Sequence, residues 1–300
     1  MWVKCVGTWR SLVARLDGVQ EVASSNLVVP TIYLQGGIMK LNDYKEKFKY
    51  HSLSYISEQE LGDIIFDDEN KMISLFFDPE QEMLILRYAV NNIDDLITVL
   101  KEEKRKVLIP FVDPSFVSDL KQLGYEVRSI FKDYFKRDFS DIEKSKDNTE
   151  LLISESLEAS KLTHSVINQS RGFFGQSEIW FKTWMDGTSD DVKDMGLKHQ
   201  TVLVKKNEQK KMIGLVVVGL YGYDSESGPT VWIRELVVDQ NYQGMGIGQN
   251  LLSDGLSYGK AHGAKKAFLH VDELNENAIH IYRKFGFYPT EDSQIDMIKS

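Results

Sequence analysis

The sequence predicts an α/β fold in two domains, on three observations. Residues 231–238, Val-Trp-Ile-Arg-Glu-Leu-Val-Val, are rich in β-branched and aromatic side chains and read as a strand. The glycine-rich turn Gln243-Gly244-Met245-Gly246-Ile247-Gly248 follows, and residues 249–260 then place Leu251, Leu252 and Leu256 on one helical face. A separate alternation of strand and helix patterns fills residues 39–140, and the polar run from Phe139 to Thr149 marks the boundary to the second domain, 141–300.

In chain order, Met72–Phe77 and Met83–Ala89 read as a hairpin turning at Asp78-Pro79-Glu80. Helices are expected over Ile93–Glu103 and Pro114–Leu123, strands over Val107–Phe111 and Tyr125–Phe135. The second domain opens with a helix over Leu151–Gln169, followed by strands Thr201–Lys205 and Met212–Tyr221. An acidic loop, residues 223–229, leads into the strand that carries Glu235. Residues 264–271 form a further strand, and the chain then reads Asn275-Glu276-Asn277-Ala278-Ile279-His280-Ile281-Tyr282-Arg283-Lys284-Phe285-Gly286-Phe287.

The glycines at 244, 246 and 248 let the backbone turn tightly and leave amide N–H groups uncovered at a helix N-terminus, a site suited to a diphosphate. A turn of this kind also serves merely to pack a helix on a sheet. It lacks the Lys-Ser/Thr pair of one common phosphate loop and the well-placed acidic residue of another.

Strand, QxxGxG turn and helix, followed by NxNAxxxYxxxGF, resemble the core of the GNAT superfamily of N-acetyltransferases. The resemblance implies a mixed central sheet flanked by helices, acetyl-CoA as the acyl donor, and direct transfer to an amine where two parallel strands splay apart. It also implies that Gln243, Gly244, Gly246 and Gly248, with the amides of Met245, Ile247 and Gln249, hold the diphosphate. The thioester carbonyl is expected against the backbone of Leu236, Val237 and Val238. Asn277 is expected at the pantetheine or as the cap of its helix, and Tyr282 beside the sulfur as proton donor to the leaving thiolate. The segment Leu120–Tyr125 echoes Tyr282–Phe287, which extends the resemblance to a degenerate first copy, in tandem, that lacks both the glycine turn and the tyrosine.

Acyl transfer to an amine needs a neutral nucleophile, stabilisation of the developing oxyanion and a proton for the leaving group. Glu235 is a candidate base; by period 2 it faces the same way as Ile233 and Val237. Its other reading is an ion pair with Arg234 or Lys265. His270 is a second candidate, its ordinary pKa being suited to proton transfer, or else a strand histidine, and His280 is expected to face solvent. Phe173, Trp180 and Trp184 lie in the aromatic segment 171–184 and are candidates for an acceptor wall or for packing. A different class of function, a CoA-binding or structural tandem module without transfer activity, stands as the alternative.

The chain has 300 residues, 42% hydrophobic and 27% charged, with Lys+Arg 36 against Asp+Glu 45 and a net charge of -9. No basic stripe points to nucleic acid and no apolar run approaches a membrane span, so the expected partner is an amine-bearing small molecule or peptide, in the cytoplasm. Cys5 is the one cysteine, which excludes a disulfide scaffold, a thiolate zinc site and a cysteine nucleophile in the second domain. Residues 1–38 read as an extension outside the fold. Glu21-Val22-Ala23-Ser24-Ser25-Asn26-Leu27 fits translation through the T-loop of a bacterial transfer-RNA gene, with Met39 as the true start. The rival is a helical arm at residues 10–16; a signal peptide is less expected, since no continuous apolar region precedes a small-residue cleavage site.

Overall fold

The computed structural model describes residues 39–299, apart from 55, 57–59, 79–82 and 144–148. Expectations for residues 1–38, and for the turn at Pro79-Glu80, lie outside the described residues. The chain divides into two compact units, one ending at Ile130 and taking up Gln294–Ser300, the other spanning Phe131–Ser293.

The first unit runs α1 (Leu41–Lys47), β1 (Tyr50–His51), β2 (Asp63–Asp67), β3 (Lys71–Asp78), β4 (Met83–Val90), α2 (Ile93–Glu102), β5 (Val107–Ile109), α3 (Val117–Gln122) and the start of β6 (Glu126–Lys136). The hairpin pairs as expected, with Phe77 opposite Leu84 and Asp78 opposite Met83. Strand β5 stops two residues short of the expected Phe111, where Pro110 has no N–H to give a ladder. The expected helix from Pro114 splits into a single 3₁₀ turn, Pro114–Phe116, capped by Asp113, and then α3. Asn92 caps α2 by accepting from the Asp95 amide, and Leu96 and Leu100 turn its apolar stripe onto Leu86, Tyr88, Val107 and Met297. Strand β5 is parallel to β4 and antiparallel to the chain's last residues, Met297 lying opposite Ile109.

The second unit begins within β6 and continues with α4 (Ser156–His164), α5 (Glu178–Met185), α6 (Asp190–Asp194), β7 (Lys198–Lys206), β8 (Met212–Tyr221), β9 (Thr230–Val238), α7 (Ile247–Ala261), β10 (Lys266–Asp272), α8 (Glu276–Lys284) and the start of β11 (Tyr288–Lys299). The division at Ile130 precedes the polar run 139–149. The described start of that run is docked: Phe139 and Ile142 are buried in the core, and Lys260 Nζ donates to both of their carbonyls.

The expected helix over Leu151–Gln169 is broken into 3₁₀ turns at Ile153–Glu155 and Ile167–Gln169 around α4. At its front, Leu151 N–H donates to Val202 O at 2.8 Å and holds the chain extended. At its back, Ser165 Oγ turns to the Leu162 carbonyl at 2.7 Å, a side-chain bond that competes with helix continuation. Helix α5 occupies the aromatic segment for which the sequence reading assigned no element.

Strands β7, β8 and β9 form an antiparallel meander, α7 crosses over, and β10 lies parallel to β9 and antiparallel to β6. One sheet face packs Val216, Val218, Val231 and Ile233 against Leu251, Leu252 and Leu256 of α7; the other packs Val202, Leu215, Val217 and Val237 against Leu162, Phe181 and Trp184. Close approach of α7 depends on Gly259, where an added Cβ would lie 2.6 Å from Val231 Cβ.

Both units use the same succession: an antiparallel meander, a helical crossover to a parallel strand, a second helix and then a further strand. The second helices end alike. Gly124 and Gly286 hold φ +85° and +77°, and the next amide reaches back to the helix, Tyr125 to Leu120 O and Phe287 to Tyr282 O, each at 3.0 Å.

Candidate active site

Strand β9 is not regular. Val217 opposes Glu235 but Val218 opposes Ile233, so Arg234 is an extra residue in the ladder, a β-bulge. The expectation that Glu235 shares a face with both Ile233 and Val237 is therefore corrected. Ile233 packs on the α7 side, Glu235 and Val237 on the other, and after the bulge Leu236 and Val238 take the α7 side. The parallel pairing of β9 with β10 ends at the same point, at Ile233 and Leu269. Beyond it the β9 edge at residues 235–238 is open toward β10 and the strands diverge.

The bulge puts Arg234 and Glu235 on one face. Glu235 is buried, and a single oxygen, Oε1, accepts from Arg234 Nη1 at 2.7 Å and from Gln176 Nε2 at 2.8 Å. Among the described residues its Oε2 has no hydrogen-bond partner. Burial raises the carboxyl above the ordinary range, and nearby Asp191 adds to this against the pull of Arg234 and Gln176. Of the two partners expected for Glu235, Arg234 is the one found, and the carboxylate of the pair is buried. Nothing in the sequence singled out Gln176, because its approach depends on how the loop before α5 folds back.

At the glycine turn, Asp239 caps the short 3₁₀ turn Gln240–Tyr242 by accepting from the Asn241 amide at 2.9 Å. Gly244 and Gly246 follow with φ +76° and +78°, and a Cβ on either would meet no heavy atom within 4 Å. Helix α7 starts at Ile247, two residues earlier than expected, with left-handed Gly246 as its N-cap. Its first hydrogen bond runs from Asn250 N–H to Gly246 O at 3.0 Å. Among the described residues this leaves the amides of Ile247, Gly248 and Gln249 without a backbone acceptor. Gly248 departs from the expectation: it is helical, and an added Cβ would sit 3.6 Å from Val238 and 3.7 Å from Ile281, in ordinary contact. Met245 is exposed, and Gln243 Nε2 donates to Gln169 Oε1 and to the Val238 carbonyl. Open space over two left-handed glycines, bordered by free amides at the positive end of a 15-residue helix, fits a diphosphate.

Tyr282 lies on α8 with its ring buried 6.0 Å from that of Phe287. Burial and the nearby Glu235 charge raise its pKa, so the hydroxyl keeps its proton at neutral pH. The cap of α8 is Asn275, accepting from the Ala278 amide at 3.2 Å, and not Asn277, which is exposed in the first turn. An exposed His280 matches its expectation. His270 pairs with Asp133 at 2.7 Å and stacks on Phe131.

The segment Gln169–Gln176 straps across the diverging strands. Arg171 makes a two-pronged bond to Asp272 at the end of β10 (3.0 and 2.9 Å), while Gln176 reaches Glu235 on β9. Of the aromatic candidates, Trp184 is a core residue whose Nε1 donates to Thr201 O. Phe173 is half-buried against the same core, and Trp180 faces the Arg234 guanidinium. Among the described residues no cluster of three His, Cys, Asp or Glu side chains could hold a metal, and no helix is long and apolar enough to cross a membrane.

The sequence model described as Acetyltransferase (GNAT) family matches residues 173–287, the span that holds the bulge, the turn and Tyr282. The spermine/spermidine N(1)-acetyltransferase of Bacillus subtilis (strain 168) is 31% identical over 80 residues, 25% of this chain and 52% of that protein. A mycothiol acetyltransferase of Corynebacterium glutamicum (strain R) is 33% identical over 78 residues, 26% of this chain and 27% of that protein. The chain thus spans about half, or less, of the curated relatives it matches. A GCN5-related N-acetyltransferase from Sphaerobacter thermophilus shares the fold, with a TM-score of 0.51 at 13% identity over 76% of each chain. By the family match and the diverging strands beside the glycine turn, residues 173–287 form a domain of the GNAT acetyltransferase family.

Proposed function

We propose that the second unit transfers an acetyl group from acetyl-CoA to an amine of a small molecule or peptide by direct attack. The observation that carries this reading is the open turn at Gly244 and Gly246. It lies at the N-terminus of α7, beside the β9 edge freed at the Arg234 bulge, with Glu235 and Tyr282 nearby. When bound, acetyl-CoA supplies an activated acyl group and a thiol leaving group.

In this reading the amides of Met245, Ile247 and Gln249, with Gln243, Gly244, Gly246 and Gly248, hold the diphosphate, and Asn277 lines the pantetheine path. The free edge at Leu236, Val237 and Val238 holds the thioester carbonyl. Glu235 takes a proton from the acceptor ammonium at Oε2, directly or through water, leaving the neutral amine that attacks. Tyr282 donates its proton to the departing sulfur. Buried, paired in part and still one oxygen short of partners, Glu235 suits this base role better than His270, whose Nδ1 is committed to Asp133.

The first unit is read as a degenerate GNAT-like copy that binds no CoA, in tandem with the second. The shared succession of elements and the twin helix ends support this. The turn after β4 is Asn91-Asn92, with no glycine, and Leu120 stands where Tyr282 does.

The test is a screen of amines, including spermidine, with acetyl-CoA and detection of released thiol. Acetylated product with stoichiometric thiol supports transfer. Calorimetric binding of acetyl-CoA with no turnover across the panel would instead support the CoA-binding module, and absence of binding would overturn both readings.

A further inference from the structure

We infer that Arg234 is the positioning residue for Glu235: it holds the buried carboxylate ionised and turned so that Oε2 faces the acceptor. The inference rests on the proposed reading of Glu235 as base and adds a residue to it.

Neighbouring side chains in a regular strand point to opposite faces and do not meet. Here the bulge at Arg234 brings both to one face, where Nη1 donates to Glu235 Oε1 at 2.7 Å. The guanidinium is clamped as well as paired. Its carbon lies 5.3 Å from the Trp232 ring, two residues back on the same strand, and 5.5 Å from the Trp180 ring of α5. The two indoles present faces that attract a planar cation. Asp191 of α6 lies 3.5 Å from Nε and steadies the far side. Arginine and Gln176 both use Oε1, so the geometry fixes the carboxylate plane and leaves Oε2 to a ligand.

The electrostatic consequence follows from which groups face Glu235. From its own strand comes Arg234, from the loop before α5 neutral Gln176, from α6 the Asp191 carboxylate, and from α8 the Tyr282 hydroxyl; Val217 of β8 opposes it with an apolar side chain. Arg234 is the one cation in that set. Burial and Asp191 both favour a protonated Glu235, a form unable to take a proton from an ammonium. An opposite charge at such a distance ordinarily lowers a carboxyl pKa by about one to three units.

The experiment has two readouts. Titration of protein carrying 13Cδ-labelled glutamate, with Glu235 assigned from Glu235→Gln, reads the carboxyl directly and needs no acceptor. The pH profile of kcat/KM, with whichever amine of the panel turns over, reads its use. In Arg234→Gln both the Glu235 titration and the acid limb should move up by about one to three pH units. The amine's own ionisation is common to both proteins and cancels. Arg234→Lys, which keeps a cation without the planar stack, should recover most of the shift. Trp180→Leu, which opens one side of the clamp and serves if Arg234→Gln does not fold, should shift both readouts upward by less. A Glu235 titration unmoved in Arg234→Gln, or in Trp180→Leu where only that variant folds, overturns the role of Arg234. Undiminished kcat/KM in Glu235→Gln is a different result and removes the base assignment itself.

Discussion

Arg234 and Glu235 are consecutive in the chain, yet their side chains meet at 2.7 Å inside the protein. One extra residue in strand β9 is responsible. The same bulge ends the pairing with β10 and exposes the strand edge on which the proposed chemistry depends, so a single backbone irregularity sets both the electrostatics and the opening.

Glu235→Gln should keep the fold and both hydrogen-bond donors' partner while removing the base. A loss of about 10²-fold to 10⁴-fold in kcat/KM is expected. In the wild type the ionised, active form of a carboxyl with raised pKa is lost on acidification earlier than that of an ordinary carboxylate. The acid limb should accordingly lie above the usual carboxylate range, and a limb at or below pH 4 would contradict the buried geometry.

Tyr282→Phe retains the ring against Phe287 and deletes the hydroxyl. Turnover should fall, by up to about 10²-fold to 10⁴-fold if protonation of the thiolate limits the rate, with acetyl-CoA affinity by calorimetry nearly unchanged. Direct transfer also predicts no burst phase and no acetylated protein by mass spectrometry.

Gly246 at the N-cap of α7 and Gly259 within the helix should behave in opposite ways. Gly246→Asp adds a side chain where the protein has open space, and aspartate tolerates the left-handed region better than most residues. It should abolish acetyl-CoA binding and leave a folded protein. Gly259→Ala forces a methyl group to 2.6 Å from Val231, and overpacking of this kind costs about 1–3 kcal/mol. Denaturant melts should show that loss, with binding retained in the folded fraction.

Asp239 joins the end of β9 to the glycine turn, accepting from the Asn241 amide and pairing with Lys211 at 3.3 Å. Its pKa is lowered, chiefly by the Asn241 amide bond. A depressed folded pKa means the unfolded chain binds the proton more readily, so this contribution is present above the unfolded pKa and fades as pH falls through the folded one. Asp239→Ala should cost about 0.5–2 kcal/mol at neutral pH, as helix-cap losses do. The gap from wild type should shrink on acidification in parallel urea titrations.

Much of the fold was legible in the sequence because the governing signals are local. The apolar strand runs Met72–Phe77 and Met83–Ala89, the leucine stripe of α7 and the glycines at 244 and 246 each act within a few residues, and the family motif lies in one continuous stretch. Helix boundaries were less legible where partners distant in sequence intervene, as Val202 does in drawing Leu151 out of α4. Asn275 rather than Asn277 caps α8, a choice between two similar residues made by backbone geometry. The pairings at the site depended on the tertiary structure. The face of Glu235 is inverted relative to Ile233 by a bulge that period 2 does not anticipate. Its contact with Gln176 lies 59 residues back, and the clamp on Arg234 needs Trp180 from a helix the residue pattern did not announce. Local periodicity specifies elements; only the packed chain, which must satisfy a buried charge from whatever donors lie within reach, selects the partners.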